Sequence, residues 1–283
     1  MKQKRVVAIH DISCFGRCSL TVALPIISAA GIETSVIPTA VLSTHTGGIT
    51  GFTYRDLTED ILPVVRHWQS LDLKFDAIYT GFLGSFEQLD IIMEVFAALK
   101  TPDNLILVDP VMADNGKLYS VFPPDFPKGM KKLCAAADII VPNMTEATLL
   151  VGDAYREGPY DRAYIEDLLG RLVDIGPQRI VLTGVYFDET ELGAAVYDRG
   201  NITYPMSRKI PGFYHGTGDV FGSALLAGIM EGLTLDSATD AAIELTVGSI
   251  ERTWQAGTDV RFGVNFEAGL GDFAARLRQR KNA

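Results

Sequence analysis

The residues best equipped for chemistry are Gly216, Thr217, Gly218 and Asp219, which stand directly before an apolar stretch of helical period, residues 220–230. Glycines let a backbone approach a ligand closely, and the free amides at a helix start hold anionic oxygen with help from the helix dipole. That is the chemistry of a phosphate cradle. A carboxylate at its entrance, Asp219, is placed to take a proton from a hydroxyl that attacks phosphorus. The same four residues would also serve as a turn with Asp219 as a plain N-cap, so the surroundings must decide. Gly216, Gly218 and Gly222 are spaced like a variant dinucleotide-binding signature as well. Residues 210–215, however, include Pro211 and Gly212 and make a poor buried strand ahead of it.

Such a loop needs a frame that brings distant segments together. Apolar runs of strand length at 6–9, 34–37, 77–80, 105–108, 139–141 and 179–182 alternate with segments of helical period at 20–30, 57–68, 86–99 and 165–175. The run at 34–37 is expected to stop before Pro38. This alternation predicts an α/β fold with a mostly parallel sheet covered on both faces. In the last third, residues 193–198 and 202–204 flank Arg199, Gly200 and Asn201 and suggest an antiparallel hairpin at an edge, followed by helices at 220–230, 237–254 and 266–280. No repeat or linker divides the chain, so one domain over residues 1–283 is expected. Ligands of an open parallel sheet bind beyond the carboxyl ends of the strands. The polar residues there are Asp11 and Ser13, Thr80 and Gly81, Asp109, Asn143 and Glu146, and Thr183 and Gly184, a set that suits phosphate and magnesium.

Composition narrows the function. With 47% hydrophobic and 21% charged residues in 283, the chain can bury a sizeable core. A formal charge of -10 argues against nucleic acid as a partner, because that binding relies on basic surface. The apolar run at 6–9 is too short for a signal-peptide core, and no stretch reaches the length needed to span a bilayer, so a cytoplasmic location is expected. Cys14, Cys18 and Cys134 are too few and too odd in number for a disulfide framework, lack histidine partners for zinc, and read as small buried thiols. Trp68 and Trp254 are expected in the core.

Gly216 to Asp219, taken with Asn143, Met144, Thr145 and Glu146 after a strand, resembles the ribokinase-like superfamily, in which a Gly-x-Gly-Asp anion hole carries the catalytic base and the glutamate of Asn-x-x-Glu helps hold magnesium. The resemblance covers nearly the whole chain and implies a three-layer sandwich. Within it, Ile9 to Gly16 is similar to the opening of the pyridoxal kinases, with Ser13 matching a serine that contacts the substrate ring. Leu42 to Gly47 resembles a stretch ending in His-Thr-Gly, which places His45 and Thr46 near that ring. Thr80, Gly81 and Phe82 look like a Thr-Gly-Tyr whose aromatic ring stacks on substrate; Phe82 keeps the stacking and loses a hydroxyl. His215, beside the anion hole, is a further substrate candidate.

Asp109, Pro110 and Val111, with Asp114 and Tyr119 beyond, resemble a segment whose first aspartate lies by phosphates and cations and whose later part covers ATP as a flap. Thr183 and Gly184 match a nucleotide-seating turn, and Asn143 and Thr217 join them as ATP contacts. Asp109 and Glu146 are the implied magnesium ligands. Val141 stands where many pyridoxal kinases have a threonine, which weakens a site for a monovalent cation such as K+. The resemblance thus implies transfer of phosphate from ATP to the 5'-hydroxymethyl group of pyridoxal, pyridoxine or pyridoxamine, by an enzyme often found as a homodimer. A hydroxymethylpyrimidine kinase of thiamine synthesis shares both signatures, and a nucleotide-binding regulator without catalysis is the reading from another class.

Overall fold

The structure is a computed structural model and describes residues 3–281. Its elements run β1 (Arg5–Phe15), α1 (Leu20–Ala29), β2 (Glu33–Thr44), β3 (Tyr54–Asp56), α2 (Thr58–Ser70), β4 (Ala77–Thr80), α3 (Phe86–Leu99) and β5 (Leu105–Val108). A short hairpin, β6 (Ala113–Asp114) and β7 (Lys117–Leu118), precedes α4 (Phe126–Ala135), β8 (Ile139–Ile140), α5 (Met144–Val151), α6 (Arg162–Val173) and β9 (Arg179–Val185). Then come β10 (Glu191–Asp198), β11 (Asn201–Thr203), β12 (Met206–Arg208), α7 (Thr217–Met230), α8 (Leu235–Ala256) and α9 (Leu270–Lys281).

The main sheet has the order β11-β10-β9-β8-β5-β4-β1-β2-β3, with β12 also paired to β10. The pairs from β9 through β2 are parallel, while β3 at one edge and β10, β11 and β12 at the other are antiparallel. Strand side chains alternate between two cores, as a period of two requires. Val7 and Ile9 pack with α2 to α6, whereas Val6 and Ala8 pack with α1, α7, α8 and α9. The result is the three-layer α/β sandwich expected from the sequence, with the site loops at the carboxyl ends of the parallel strands.

Several local expectations are corrected. β2 does not stop before Pro38 but continues to Thr44. The register with β1 shifts between His10 and Ile12, beside the Pro38 position, and such an irregularity accommodates a residue without an amide proton. Trp254 is 70% exposed on α8 and is not a core residue. Trp68 does pack, against Phe75 at 5.2 Å between ring centroids. Cys14 is exposed, while Cys18 and Cys134 are buried as expected. The β6–β7 hairpin, β3, β12 and α4 are additions to the expected elements; strands of two or three residues carry no readable period.

Candidate active site

The start of α7 is built to stay bare. Gly216 holds φ 72° at the N-cap and supplies no side-chain cap. A methyl group there would fall 2.1 Å from the Arg17 carbonyl oxygen, so both conformation and contact demand glycine. At Gly218 a methyl group would meet no heavy atom within 4 Å, which leaves open space over the first helical turn. The Thr217 hydroxyl donates to the Tyr214 carbonyl at 3.2 Å and steadies the turn. Amides of the first turn have no partner within their own helix, so they face that open space as donors.

Asp219 sits half-buried in this turn and accepts a hydrogen bond from the Ser19 backbone amide. Desolvation by the surrounding protein pushes its carboxyl up to about 7, the Ser19 amide opposes the rise, and the nearby Asp11 carboxylate adds to it. Asp11 is buried and accepts hydrogen bonds from the Ser19 and Ser13 hydroxyls, the latter at 3.3 Å. Its own carboxyl is raised, again chiefly by burial. In the sequence Asp11 is a strand-end residue without an assigned role; its signal is the Asp-x-Ser spacing at the end of the buried part of β1.

At the start of α5, Asn143 and Glu146 close a capping box. The Asn143 side chain accepts from the Glu146 amide at 2.9 Å, and Glu146 Oε2 accepts from the Asn143 amide at 2.8 Å. Glu146 Oε1 accepts from the Met112 amide at 3.1 Å, and Asn143 Nδ2 donates to the Ala113 carbonyl at 2.9 Å. Both residues therefore anchor the β6–β7 hairpin, which Thr145 also holds through the Gly116 amide at 2.9 Å. The hairpin turns at Asn115 and Gly116, both with positive φ, as a tight two-residue loop requires. It carries Asp114 at its tip and Tyr119 just beyond. Tyr119 feels Glu146, Asp114, Asp109 and Asp219, and burial first, then these charges, raise its hydroxyl.

Asp109, 6% exposed at the end of β5, has a carboxylate with no hydrogen-bond donor among the described residues. Burial pushes it well above the usual carboxylate range, and the charges of Glu146 and Asp219 add to the shift. Glu146 rises to about 8, mainly by burial, against the pull of its amide partners. Asp109 thus lies within electrostatic reach of both other carboxylates. A buried acidic group of this kind is costly alone and fits a divalent cation. No cluster of three His, Cys, Asp or Glu side chains stands at metal-ligating spacing among the described residues. That donor set suits magnesium, which keeps its waters and takes one or two carboxylates together with phosphate oxygens.

Thr183 lies at the carboxyl end of β9, its hydroxyl 3.4 Å from the Pro142 carbonyl, and Gly184 follows with φ 78°. Val141 is buried and apolar.

The opposite wall comes from β1, β2 and the loop before α3. His45 is buried with both ring nitrogens engaged: Nδ1 accepts from the Gly47 amide at 3.1 Å, and Nε2 donates to the Arg261 carbonyl. Its nitrogens staple the loop and leave only the ring face unengaged. Thr46 is half-buried in the turn beside it. His215 stands 5.2 Å from His45 between ring centroids, and burial first, then that neighbour, lowers its pKa. Phe82 packs 5.6 Å from Phe122. A methyl at Gly84 would meet both the Tyr54 hydroxyl, at 2.8 Å, and Phe82, at 3.7 Å. A phenol therefore stands beside the ring that lacks one. No sequence signal points to Tyr54, because β3 reaches this place only by pairing with β2.

This arrangement recurs in known proteins. The profile of the phosphomethylpyrimidine kinase family matches residues 24–263. A crystal structure of a Bacteroides thetaiotaomicron protein, provisionally named a phosphomethylpyrimidine kinase and solved in an orthorhombic form with pyridoxal, is 37% identical. It superposes with a TM-score of 0.91 and covers 96% of each chain. The pyridoxal kinase of Lactobacillus plantarum is 30% identical, with a TM-score of 0.89 over 98% of this chain and 99% of its own. The pyridoxal kinase PdxY of Granulibacter bethesdensis is 25% identical over 267 residues, covering 89% of this chain and 91% of its own length. With the fold, the bare helix start and the acidic pair in place, the chain belongs to the phosphomethylpyrimidine kinase family, whose fold is ribokinase-like.

Proposed function

We propose that the protein transfers the γ-phosphoryl group of ATP to the 5'-hydroxymethyl group of a vitamin B6 vitamer. The observation that carries this reading is the uncapped start of α7, with Asp219 in its first turn and Asp109 within electrostatic reach. Asp219 takes the hydroxyl proton as the substrate oxygen bonds to phosphorus and ADP departs. The amides of the first turn of α7 meet the charge on the migrating group. A base with a pKa near neutrality is matched to this work, and base assistance is worth about 10² to 10⁴ in rate. Asp109 and Glu146 would hold magnesium, which supplies charge neutralisation between the phosphates. Asp114, Tyr119, Thr183 and Gly184 line the nucleotide side; Ser13, Thr46, Phe82 and His215 line the alcohol side.

The vitamer reading is supported by the pyridoxal in the Bacteroides structure and by the pyridoxal kinases among the relatives. The family description favours a second reading, a hydroxymethylpyrimidine kinase, with the same machinery acting on a related aromatic alcohol. The retained Asp219 and Glu146 speak against an inactive regulator. Among the described residues no helix is long and apolar enough to cross a membrane, and the same reading makes the protein a cytoplasmic homodimer.

Steady-state ADP release with pyridoxal, pyridoxine, pyridoxamine and hydroxymethylpyrimidine tests the reading. The highest kcat/KM is expected with a B6 vitamer. Preference for the pyrimidine replaces the first reading by the second, and no turnover with any of the four removes both.

A further inference from the structure

Tyr79 is wholly buried on the α7 side of the sheet, and its hydroxyl has no hydrogen-bond partner among the described residues. Asp109, one strand away at the end of β5, is the opposite case, a buried carboxylate without a donor. Gly222 of α7 approaches both. A methyl at Gly222 would fall 2.5 Å from the Tyr79 hydroxyl oxygen and 3.7 Å from Asp109 Oδ2. The Ser223 hydroxyl, also buried, lies close enough to influence the Tyr79 oxygen, yet neither oxygen reaches a partner at full hydrogen-bonding geometry. An unpaired buried hydroxyl costs about 1 to 3 kcal/mol, and phenylalanine would fill the same space without that cost. Packing alone therefore does not account for the oxygen.

We propose that the Tyr79 hydroxyl, which meets Gly222 beside Asp109, is the donor that comes to hold the Asp109 carboxylate once a divalent cation is bound, and thereby sets the site's affinity for that cation. The inference deepens the reading of Asp109 as a cation-holding carboxylate and rests on it. Tyr79 is a positioning residue, since its oxygen acts through Asp109.

The test is the affinity of the full-length enzyme, saturated with a non-hydrolysable ATP analogue, for Mn2+, read from the electron paramagnetic resonance of free Mn2+. Tyr79→Phe is expected to weaken Mn2+ binding by about tenfold, the worth of a hydrogen bond to a charged group, while the melting temperature of the unliganded protein holds or rises. Gly222→Ala brings a methyl to 2.5 Å from the Tyr79 oxygen, displaces that oxygen from Asp109 and should weaken Mn2+ similarly. Combined with Tyr79→Phe it should add little, because both changes remove one interaction. Asp109→Asn serves as the control for the underlying reading. If Asp109→Asn weakens Mn2+ and Tyr79→Phe does not, the positioning role is overturned and the cation reading stands. If Asp109→Asn leaves Mn2+ affinity unchanged, the cation reading falls and the inference with it. Should Tyr79→Phe fail to fold, Gly222→Ala carries the same decision.

Discussion

Two helix starts face the same basin and are built in opposite ways. At α5 each polar group is spent: Asn143 and Glu146 cap each other, and their remaining atoms tie down the β6–β7 hairpin. At α7 the N-cap is a glycine without a side chain, and the first turn opens on free space at Gly218. The capped start fixes a carboxylate and a hairpin in position; the bare start leaves backbone donors free. Satisfied hydrogen bonding marks the scaffold here, and unsatisfied hydrogen bonding marks the place for chemistry.

Between the two helix caps, the larger effect should come from spoiling the bare one. Gly216→Ala forces a Cβ to 2.1 Å from the Arg17 carbonyl in a left-handed conformation, so the turn must shift and the amides lose their aim. Turnover should fall by about 10² to 10³, the usual cost of losing a preorganised anion donor. Gly218→Ala meets no heavy atom, so it should melt like the wild type and yet bind ATP more weakly, as the methyl occupies the ligand's space. Equal loss of melting temperature in both variants would erase the distinction between the two glycines.

At the capped start, Glu146→Ala should destabilise the fold by about 1 to 2 kcal/mol and raise the magnesium needed for half-maximal rate. Glu146→Gln keeps one of the two acceptor oxygens and turns an NH2 towards the other backbone amide, so it should recover only part of the stability and none of the magnesium response. A glutamine variant with normal magnesium dependence would make Glu146 a cap and nothing more.

The smallest effect is on pH-dependent stability. Glu146 and Asp219 are raised to about 8 and about 7 in the folded protein, so that state keeps protons which the unfolded chain releases from about pH 4 upward. Raising the pH through this window therefore favours unfolding. The melting temperature of the nucleotide-free protein should drop by a few degrees between about pH 5 and about pH 8, and Mg2+ with ATP should flatten the slope. A melting temperature that climbs across that range would contradict the acidic basin.

Much of this architecture is legible in the chain because its parallel strands are buried runs bounded by breakers. Residues 77–80, 86–99 and 105–108 are delimited by the sequence pattern just as they stand in the structure. The chemistry at Gly216 to Asp219 is legible for the same local reason, a glycine pair and a carboxylate at a helix start. What escapes depends on contacts distant in sequence. Asp11 matters through its approach to Asp219, Tyr54 through an edge pairing, and Tyr79 through its close approach to Gly222 of α7. The two engaged nitrogens of His45 belong with these, because Arg261 is no sequence neighbour. Trp254 misleads because helical period does not reveal which face of α8 meets solvent.

The central claim is that Asp219 works as a base and leaves nucleotide binding to its neighbours. Asp219→Asn keeps the side chain's size and removes its capacity to take a proton, so calorimetric ATP affinity and kcat measured on that one variant decide the matter. ATP affinity within about threefold of wild type, with kcat lower by about 10² to 10⁴, is the predicted result. Turnover within about threefold of wild type would contradict it.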